Sequence, residues 1–455
     1  MKLYNTLTNK KELFSSGENK VKMYVCGITP YAESHLGHAM SSVIFDVIRR
    51  YLEFKGYEVT HIQNFTDIDD KMIYAASQLD KSPSELAEEN INVYLNQMRK
   101  LNVLPAKSYP RATHDIPKII EVIESLISND FAYSVDGDVY FSVRQFKEYG
   151  KLSNRNLDNL IAGARVEIDE KKQDVLDFAL WKHRKPNEPF WQSPWGPGRP
   201  GWHIECTAMA IDYLGKTIDI HGGGSDLIFP HHENEIAQSE SWTKESPFAK
   251  FWVHNGLLQF GENKMSKSDG NIVTITEVLQ KFSSDAIRLF FLSSHYHSPI
   301  VYNSESISAQ ERALLRLRTA LNSRSETENN PLDPSPYRNR FIEAMDDDLN
   351  TPRALATLFE LAKDINKLNE ENCSVKQAQV VLMELANILG ITLRNQTQKP
   401  ETESSQYIQL LVNIRSDLRG VGQYDLADKI RIELSNVGIT LEDTSQTTKW
   451  KKDPT

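Results

Sequence analysis

The sequence predicts an α/β protein with a Rossmann-like parallel sheet that carries an insertion, followed by an α-helical bundle and a small C-terminal module. The first observation behind this prediction is an apolar run at 21–27, followed by apolar residues at helical spacing from 43 to 52. Gly56 supplies a helix stop, and a second strand candidate, EVTHIQ, follows at 58–63. A strand, a helix and a strand within about 40 residues form a βαβ unit, whose ligand crevice lies at the carboxyl ends of its strands.

The second observation is that this alternation stops near residue 105 and resumes after 195. Charged turns and short strand-like pieces fill the interval, which leads into the Pro/Gly-rich run 194–201. We therefore expect an insertion at about 105–195. A helix at 204–214, a strand at 217–220, a tight turn at 222–224, a helix at 230–241 and a strand at 251–258 are then expected to complete the sheet.

The third observation is a helical pattern from residue 309 onward, with polar breaks at 322–335 and 395–405. The sequence thus predicts a catalytic domain at 1–308, in which a lysine-loop region occupies about 255–308. A helical bundle is expected at 309–396, and a small module at 405–455. A length of 455 residues fits about three domains.

Composition limits the class of protein. The chain is 40% hydrophobic and 25% charged, and no run approaches the roughly 18 apolar residues of a membrane helix, so we expect no membrane partner. The N-terminus lacks the features of a secretory signal, which favours the cytoplasm. The net charge of −10 argues against nonspecific coating of nucleic acid, whereas the residues from Ser405 onward balance seven basic against seven acidic side chains. No heptad seam stands out, so a monomer is expected.

Two motifs indicate phosphate binding. His35 and His38 flank Gly37 where the first long helix begins, and helix N-termini attract anions. By itself this pair is weak evidence, and two surface histidines are the simpler interpretation. The run KMSKS at 264–268 follows the last sheet strand, and Lys264 and Lys267 on such a loop would neutralise a triphosphate most strongly in the transition state. A solvated lysine loop is the alternative.

A metal site is the other chemical hypothesis. His231 and Glu235 are four residues apart at the start of a predicted helix and so share one face. Together with Cys26 and Cys206 they would make a tetrahedral Cys2HisGlu zinc site. The spacing differs from that of a zinc finger, so two buried thiols and a His/Glu ion pair remain an alternative on the residues alone.

Taken together, these motifs resemble those of the cysteinyl-tRNA synthetases, a class I aminoacyl-tRNA synthetase family, over nearly the whole chain. The matching stretches are MYVCG at 23–27, HLGH at 35–38, NFTDIDDK at 64–71, GWHIEC at 201–206, HGGGSD at 221–226, FPHHENE at 229–235 and KMSKS at 264–268.

The resemblance implies an enzyme that joins L-cysteine to tRNA(Cys) through a cysteinyl-adenylate, using ATP with Mg²⁺. It implies zinc held by the four residues above, and a cysteine pocket lined by Thr66, Trp202 and Asp226. It also places adenosine near Gly256, an RNA stem against the 255–308 region, and an anticodon-reading role in the tail around Trp450.

The first motif departs from the usual family pattern. This chain has GITPY at 27–31 where most members have GPTVY, and Met40 where they have arginine. The combination of GITPY and HLGH also resembles the related ligase that joins cysteine to an aminosugar inositol in mycothiol synthesis, which is one alternative. A non-catalytic homologue that binds RNA or cysteine is another. Asp67, Asp69 and Asp70 are interpreted as structural rather than as a cation site.

Overall fold

A computed structural model of the chain describes residues 1–156, 171–260, 263–264, 273–323, 329–394, 403–436, 438–443 and 448–452. The chain divides into two compact units, Met1–Leu393 and Arg394–Thr455. None of the helices in these described ranges is both long and apolar enough to cross a membrane.

The first unit contains strands and helices in alternation. The strands are β1 (Lys2–Asn5), β2 (Lys10–Leu13), β3 (Lys20–Ile28), β4 (Glu58–Phe65), β5 (Ala132–Val135), β6 (Asp138–Phe141), β7 (Phe178–His183), β8 (Gly198–Pro200), β9 (Ile218–Gly224), β10 (Ala249–Asn255), β11 (Leu258–Phe260), β12 (Asn263–Lys264) and β13 (Ile300–Tyr302). The helices are α1 (Leu36–Phe54), α2 (Asp70–Gln78), α3 (Pro83–Lys100), α4 (Ile116–Ser128), α5 (Trp202–Leu214), α6 (Glu233–Thr243), α7 (Ile275–Lys281), α8 (Ser284–Leu292), α9 (Ser304–Asn322), α10 (Ser335–Asp346), α11 (Thr351–Glu370) and α12 (Lys376–Ile388).

A four-stranded parallel sheet, in the order β10-β9-β3-β4, lies at the centre of this unit. Both of its faces are covered, as alternate residues of β3 show. Met23 and Val25 pack into the core that includes α1, whereas Tyr24 packs into the core that includes α5 and α6. Parallel strands buried on both faces are rich in apolar residues, which made β3 detectable from sequence, whereas β4 (EVTHIQNF) is mostly polar and was indicated by its position after the helix stop at Gly56. The predicted α/β class is confirmed.

The region between α4 and α5 forms a separate antiparallel sheet in the order β5-β6-β7-β8. It returns to the parallel sheet at Gly201, where a Cβ atom would lie 2.0 Å from the carbonyl oxygen of Ala179. Only glycine permits this approach, and α5 begins at the next residue, Trp202. The inserted sheet therefore positions the start of α5.

One predicted element is wrong. Gly222, Gly223 and Gly224 do not form a tight turn but are the last three residues of β9, paired with β10. A Cβ on Gly222 would lie 2.2 Å from the ring of Phe45, and one on Gly223 would lie 2.9 Å from Leu227. These glycines are needed for close packing of α1 and the following turn, not for a reversal of the chain.

The helices after residue 304 share the core of the parallel sheet. Leu314 and Leu317 of α9 and Leu358 of α11 belong to the same apolar cluster as the α1 side chains. Helix α9 also runs through the predicted boundary between residues 308 and 309.

A buried ion pair ties this helical region to the sheet. Arg288 of α8 is fully buried, and its Nη2 donates to Oδ2 of Asp46 in α1 at 2.6 Å. The same guanidinium donates to the carbonyl oxygens of Leu101 at 3.0 Å and Leu389 at 2.9 Å. One side chain thus joins the ends of α3 and α12 to α1.

We expect Asp46→Ala to lower the free energy of unfolding of the first unit by about 3–5 kcal/mol, because it leaves the Arg288 charge buried without a carboxylate. Urea unfolding followed by tryptophan fluorescence measures this, since six of the seven tryptophans precede residue 394. Glu53→Ala is the control: it removes an exposed pair with Arg49 at 2.8 Å on the same helix and should cost about 1 kcal/mol or less. Equal effects would contradict the assigned role.

The second unit contains α13 (Glu403–Gly420), α14 (Tyr424–Asn436) and the antiparallel pair β14 (Ile439–Asp443) and β15 (Thr448–Lys452). Its core consists of Ile408, Val412, Leu434, Ile439 and Leu441. Arg415 is buried and bonds both carboxylate oxygens of Asp443 at 2.8 Å. Trp450 is partly buried against this core and donates from Nε1 to Gln409 at 3.2 Å.

Candidate active site and metal centre

The candidate metal ligands meet at the carboxyl edge of the parallel sheet. Cys26 lies near the end of β3, and Cys206 lies one turn into α5. The two sulfur atoms are 3.8 Å apart, and the sulfur of Cys26 is 3.5 Å from Oε1 of Glu235. Nε2 of His231 is 3.0 Å from the same carboxylate oxygen. Residues separated by up to 209 positions in the chain thus converge on one point.

A fifth donor joins these four. Nε2 of His232 lies 3.3 Å from the sulfur of Cys26, and donor atoms of Cys26, His231, His232 and Glu235 all fall within 4.8 Å of one another. A regular helix from residue 230, as expected from the sequence, would put His232 off the face that His231 and Glu235 share. Instead α6 begins at Glu233, and an irregular turn, Ile228–His232, precedes it. That turn brings both histidines towards the cluster.

The candidate ligands share charge unevenly when no metal is bound. Burial and the neighbouring Cys206 and Glu235 raise the pKa of Cys26 well above its usual value, so this thiol keeps its proton. A hydrogen bond from the Cys26 thiol lowers the pKa of Cys206 to about 6. Although burial opposes it, His221 and His231 lower the pKa of Glu235 to about 2. Burial likewise opposes charge on His231, but Glu235 and Cys206 raise its pKa to about 10. A thiolate and a carboxylate therefore create a strong demand for a cation at this buried point.

Three further histidines surround the cluster, and the sequence did not single them out as part of it. Nδ1 of His203 is 2.8 Å from Nδ1 of His231, and Nε2 of His221 is 2.9 Å from Oε2 of Glu235. His254 bonds His232 at 2.7 Å. His221 and His254 lie on adjacent strands β9 and β10, so a correct register of these strands would have revealed them.

A cleft of about 370 Å³ lies next to the cluster, between α5 and the inserted sheet. Trp202, His203 and Glu205 of α5 line it, together with residues of β7 and β8. The ring of Trp202 stacks on that of His231 at 4.4 Å, and Thr66 lies beside the buried Glu205. Asp226, the third predicted cysteine-binding residue, is exposed in the turn Ser225–Leu227 that follows β9.

The candidate phosphate-binding histidines lie where α1 begins. His35 precedes the first residue of the helix, and its ring stacks on that of His38 at 3.7 Å. A Cβ on Gly37 would lie 3.1 Å from the His35 ring, so the glycine keeps the backbone open. Gly256 follows β10, and a Cβ there would lie 2.3 Å from the carbonyl oxygen of Ser298. Lys264 ends β12 but its side chain is not among those described, and Lys267 lies outside the described residues.

The three aspartates after β4 have structural partners. Asp69 accepts from the backbone of Met72 at 2.6 Å and so caps α2. Asp67 accepts from the backbone and hydroxyl of Thr113. Asp70 pairs with Lys182 at 2.6 Å and with Arg199, both on strands of the inserted sheet. Their carboxylates hold the insertion and α2 in place.

Comparison with known proteins decides the family. Residues 13–312 match the family model described as tRNA synthetases class I (C) catalytic domain. A cysteine–tRNA ligase of Dehalococcoides mccartyi is 55% identical over 454 residues, which cover 99% of each chain. The chain belongs to the cysteine–tRNA ligase family. Membership makes it a class I aminoacyl-tRNA synthetase, as its motifs predicted.

Other comparisons agree with this family. A cysteine–tRNA ligase from a Geobacillus species is 49% identical over 468 residues, again covering 99% of each chain. Residues 340–394 match the DALR domain model. Mycobacterium tuberculosis methionyl-tRNA synthetase in complex with methionyl-adenylate superposes with a TM-score of 0.60 at 17% identity, over 82% of this chain and 91% of that one, which shows a shared fold. Both quoted ligases carry the tRNA name, so neither supports the aminosugar alternative.

Proposed function

We propose that the chain ligates L-cysteine to the 3′ end of tRNA(Cys) through a cysteinyl-adenylate, with Zn²⁺ on Cys26, Cys206, His231 and Glu235 selecting the substrate thiol. The observation that carries this proposal is the convergence of two sulfurs, an imidazole and a carboxylate beside the Trp202 cleft.

The donor set fits zinc. A tetrahedral site with Zn–S bonds of about 2.3 Å places its two sulfurs about 3.8 Å apart. The sulfurs of Cys26 and Cys206 are separated by 3.8 Å. Sulfur and imidazole donors are typical of zinc and unlike the oxygen ligands of magnesium or calcium. The second imidazole nitrogen of His231 is held by His203 at 2.8 Å, an outer contact typical of metal-binding histidines.

Zinc supplies chemical discrimination between thiol and hydroxyl, because a coordinating thiol is deprotonated outright and a serine hydroxyl is a poor ligand. An apolar pocket alone separates such near-isosteres only about 10–200-fold. Trp202 and Thr66 would enclose the side chain of the amino acid, and Asp226 would pair with its ammonium group. Burial lowers the pKa values of His203 and His232, so both imidazoles are neutral. They therefore add no positive charge beside the ligands.

In the first step, a carboxylate oxygen of cysteine attacks the α-phosphorus of ATP and pyrophosphate leaves. The charge that develops on the phosphates is stabilised by His35 and His38 at the start of α1 and by Lys264 and Lys267 of the KMSKS run. Mg²⁺ would accompany ATP; no protein ligand is assigned to it. In the second step, a 3′-terminal hydroxyl of the tRNA attacks the carbonyl carbon of the adenylate and AMP leaves.

The remaining regions have proposed roles in tRNA binding. The helices within 309–396 would align the tRNA, and the module at 405–455 would contact the anticodon. Trp450 packs one side on the core of the module and is only partly buried, so part of its ring surface is accessible to a base. Because charged tRNA is consumed by translation, we propose that the enzyme acts in the cytoplasm. We also propose that it is a monomer.

Cysteine-dependent exchange of pyrophosphate into ATP, measured beside the charging of total tRNA and the zinc content of the protein, tests the proposal. We expect exchange with cysteine, much weaker exchange with serine, charging of one tRNA species and about one zinc per chain. Exchange without charging would favour an aminosugar acceptor. No exchange at all would favour a non-catalytic homologue.

A further inference from the structure

The strand that carries Cys26 also places a tyrosine against the candidate metal site. Tyr24 lies two residues before Cys26 on β3, so both side chains project from the same face of the sheet. Tyr24 is fully buried, and its ring centroid is 5.2 Å from that of His221. His221 bonds Glu235, so the tyrosine lies directly behind the ligand cluster.

The Tyr24 hydroxyl lacks a well-formed hydrogen bond among the residues that the structure describes. A buried phenol normally finds an acceptor, because leaving the group unsatisfied costs about 1–3 kcal/mol. Tyr24 and Cys206 belong to the same buried cluster, since helix α5, which carries Cys206, packs on β3. Burial, together with Cys206, Cys26 and Glu235, raises the pKa of the Tyr24 hydroxyl. The hydroxyl therefore lies in the same buried environment as the two sulfurs and the carboxylate of the candidate metal site.

We propose that the Tyr24 hydroxyl donates a hydrogen bond to Sγ of Cys206 in the metal-loaded protein and so acts as a positioning residue for thiol selection. The inference rests on the proposed function, since it requires Cys206 to be a metal ligand. A hydrogen bond to a metal-bound sulfur withdraws electron density from it and orients it. The metal then attracts a further sulfur, that of the substrate, more strongly.

One other acceptor lies near the phenol. Nδ1 of His221 is buried and also has no hydrogen-bond partner within the described part of the chain. A bond to His221 would orient Glu235 but leave the Cys206 sulfur unchanged. A measurement that reports on the sulfur itself therefore separates the two acceptors.

The experiment uses Tyr24→Phe in the full chain, loaded with Zn²⁺ or with Co²⁺ as a spectroscopic probe. We expect the sulfur-to-cobalt charge-transfer band to move to longer wavelength, because a sulfur without the hydrogen bond donates electrons more easily. Zinc affinity should fall about 10–100-fold, the range typical of lost outer contacts. The preference for cysteine over serine in pyrophosphate exchange should fall with it, through a higher KM for cysteine.

Tyr94→Phe is the matched control. Tyr94 is equally buried, its hydroxyl bonds Ser42 at 2.8 Å, and its removal should change neither the band nor the affinity. An unshifted band in folded Tyr24→Phe would overturn the inference while leaving the zinc site intact. Failure of the wild-type chain to bind either metal would instead overturn the proposed function together with the inference.

A second measurement removes the dependence on a folded variant. Global replacement of tyrosine by 3-fluorotyrosine strengthens the phenol as a donor without removing it. We expect the charge-transfer band of the otherwise unchanged chain to move to shorter wavelength. A band that stays in place counts against the bond to sulfur.

Discussion

Cys206→Ser should abolish stoichiometric zinc binding and, with it, most of the preference for cysteine over serine. The Cys206 side chain is buried and its sulfur lies 3.8 Å from that of Cys26, so a hydroxyl there would leave an incomplete donor set for zinc. Without coordination of the substrate sulfur by zinc, the preference for cysteine over serine should fall to about 10–200-fold, the limit of an apolar pocket. Metal analysis of the purified chain and pyrophosphate exchange with each amino acid measure the two effects.

Two matched variants make this result interpretable. Cys373→Ser changes the partly buried cysteine between α11 and α12, whose sulfur lies 3.9 Å from the carbonyl oxygen of Glu371, and zinc content should be unchanged. His232→Ala tests the competing quartet in which His232 replaces Cys206. Zinc retained in Cys206→Ser but lost in His232→Ala would remove Cys206 from the proposed ligands.

Lys267→Ala should reduce the rate of adenylate formation by about 10²–10³-fold, the cost of removing one donor from a developing oxyanion. The lysine is proposed to act on phosphate charge that is greatest in the transition state, so the KM for cysteine should change little. Pre-steady-state measurement of pyrophosphate release, with kcat and KM determined separately, checks both statements. Equal losses in cysteine binding and in rate would contradict the assigned role.

Lys250→Ala is a suitable control for a lost lysine. Lys250 lies at the amino end of β10, away from the carboxyl edge, and pairs with Asp219 at 2.8 Å. Lys250→Ala removes a partly exposed ion pair and should lower the free energy of unfolding by about 1 kcal/mol or less. The rate of adenylation should be unchanged. A comparable fall in both variants would indicate a general loss of stability instead of a loss of phosphate contacts.

The local sequence pattern was sufficient to predict most strands and helices of the parallel-sheet domain. The apolar residues of β3 and the helical spacing of α1 could be read directly, because burial on both faces of the sheet favours apolar residues along the strand. Strand β4 has few apolar residues and was predicted from its position after Gly56. The glycines at 222–224 misled the prediction, since glycine marks both turns and close packing. Only the position of Phe45 against β9 distinguishes the two cases.

The sequence by itself determined the class of fold, the family, and the sulfur, imidazole, carboxylate and lysine groups proposed for the chemistry, because these depend on residue type and short spacing. The tertiary structure alone decided which of them meet. It brought His232, His221 and His254 to the cluster and placed Tyr24 behind Cys206. The physical reason is that these contacts depend on the register of parallel strands and on where α6 begins, and neither is encoded in any local run of residues.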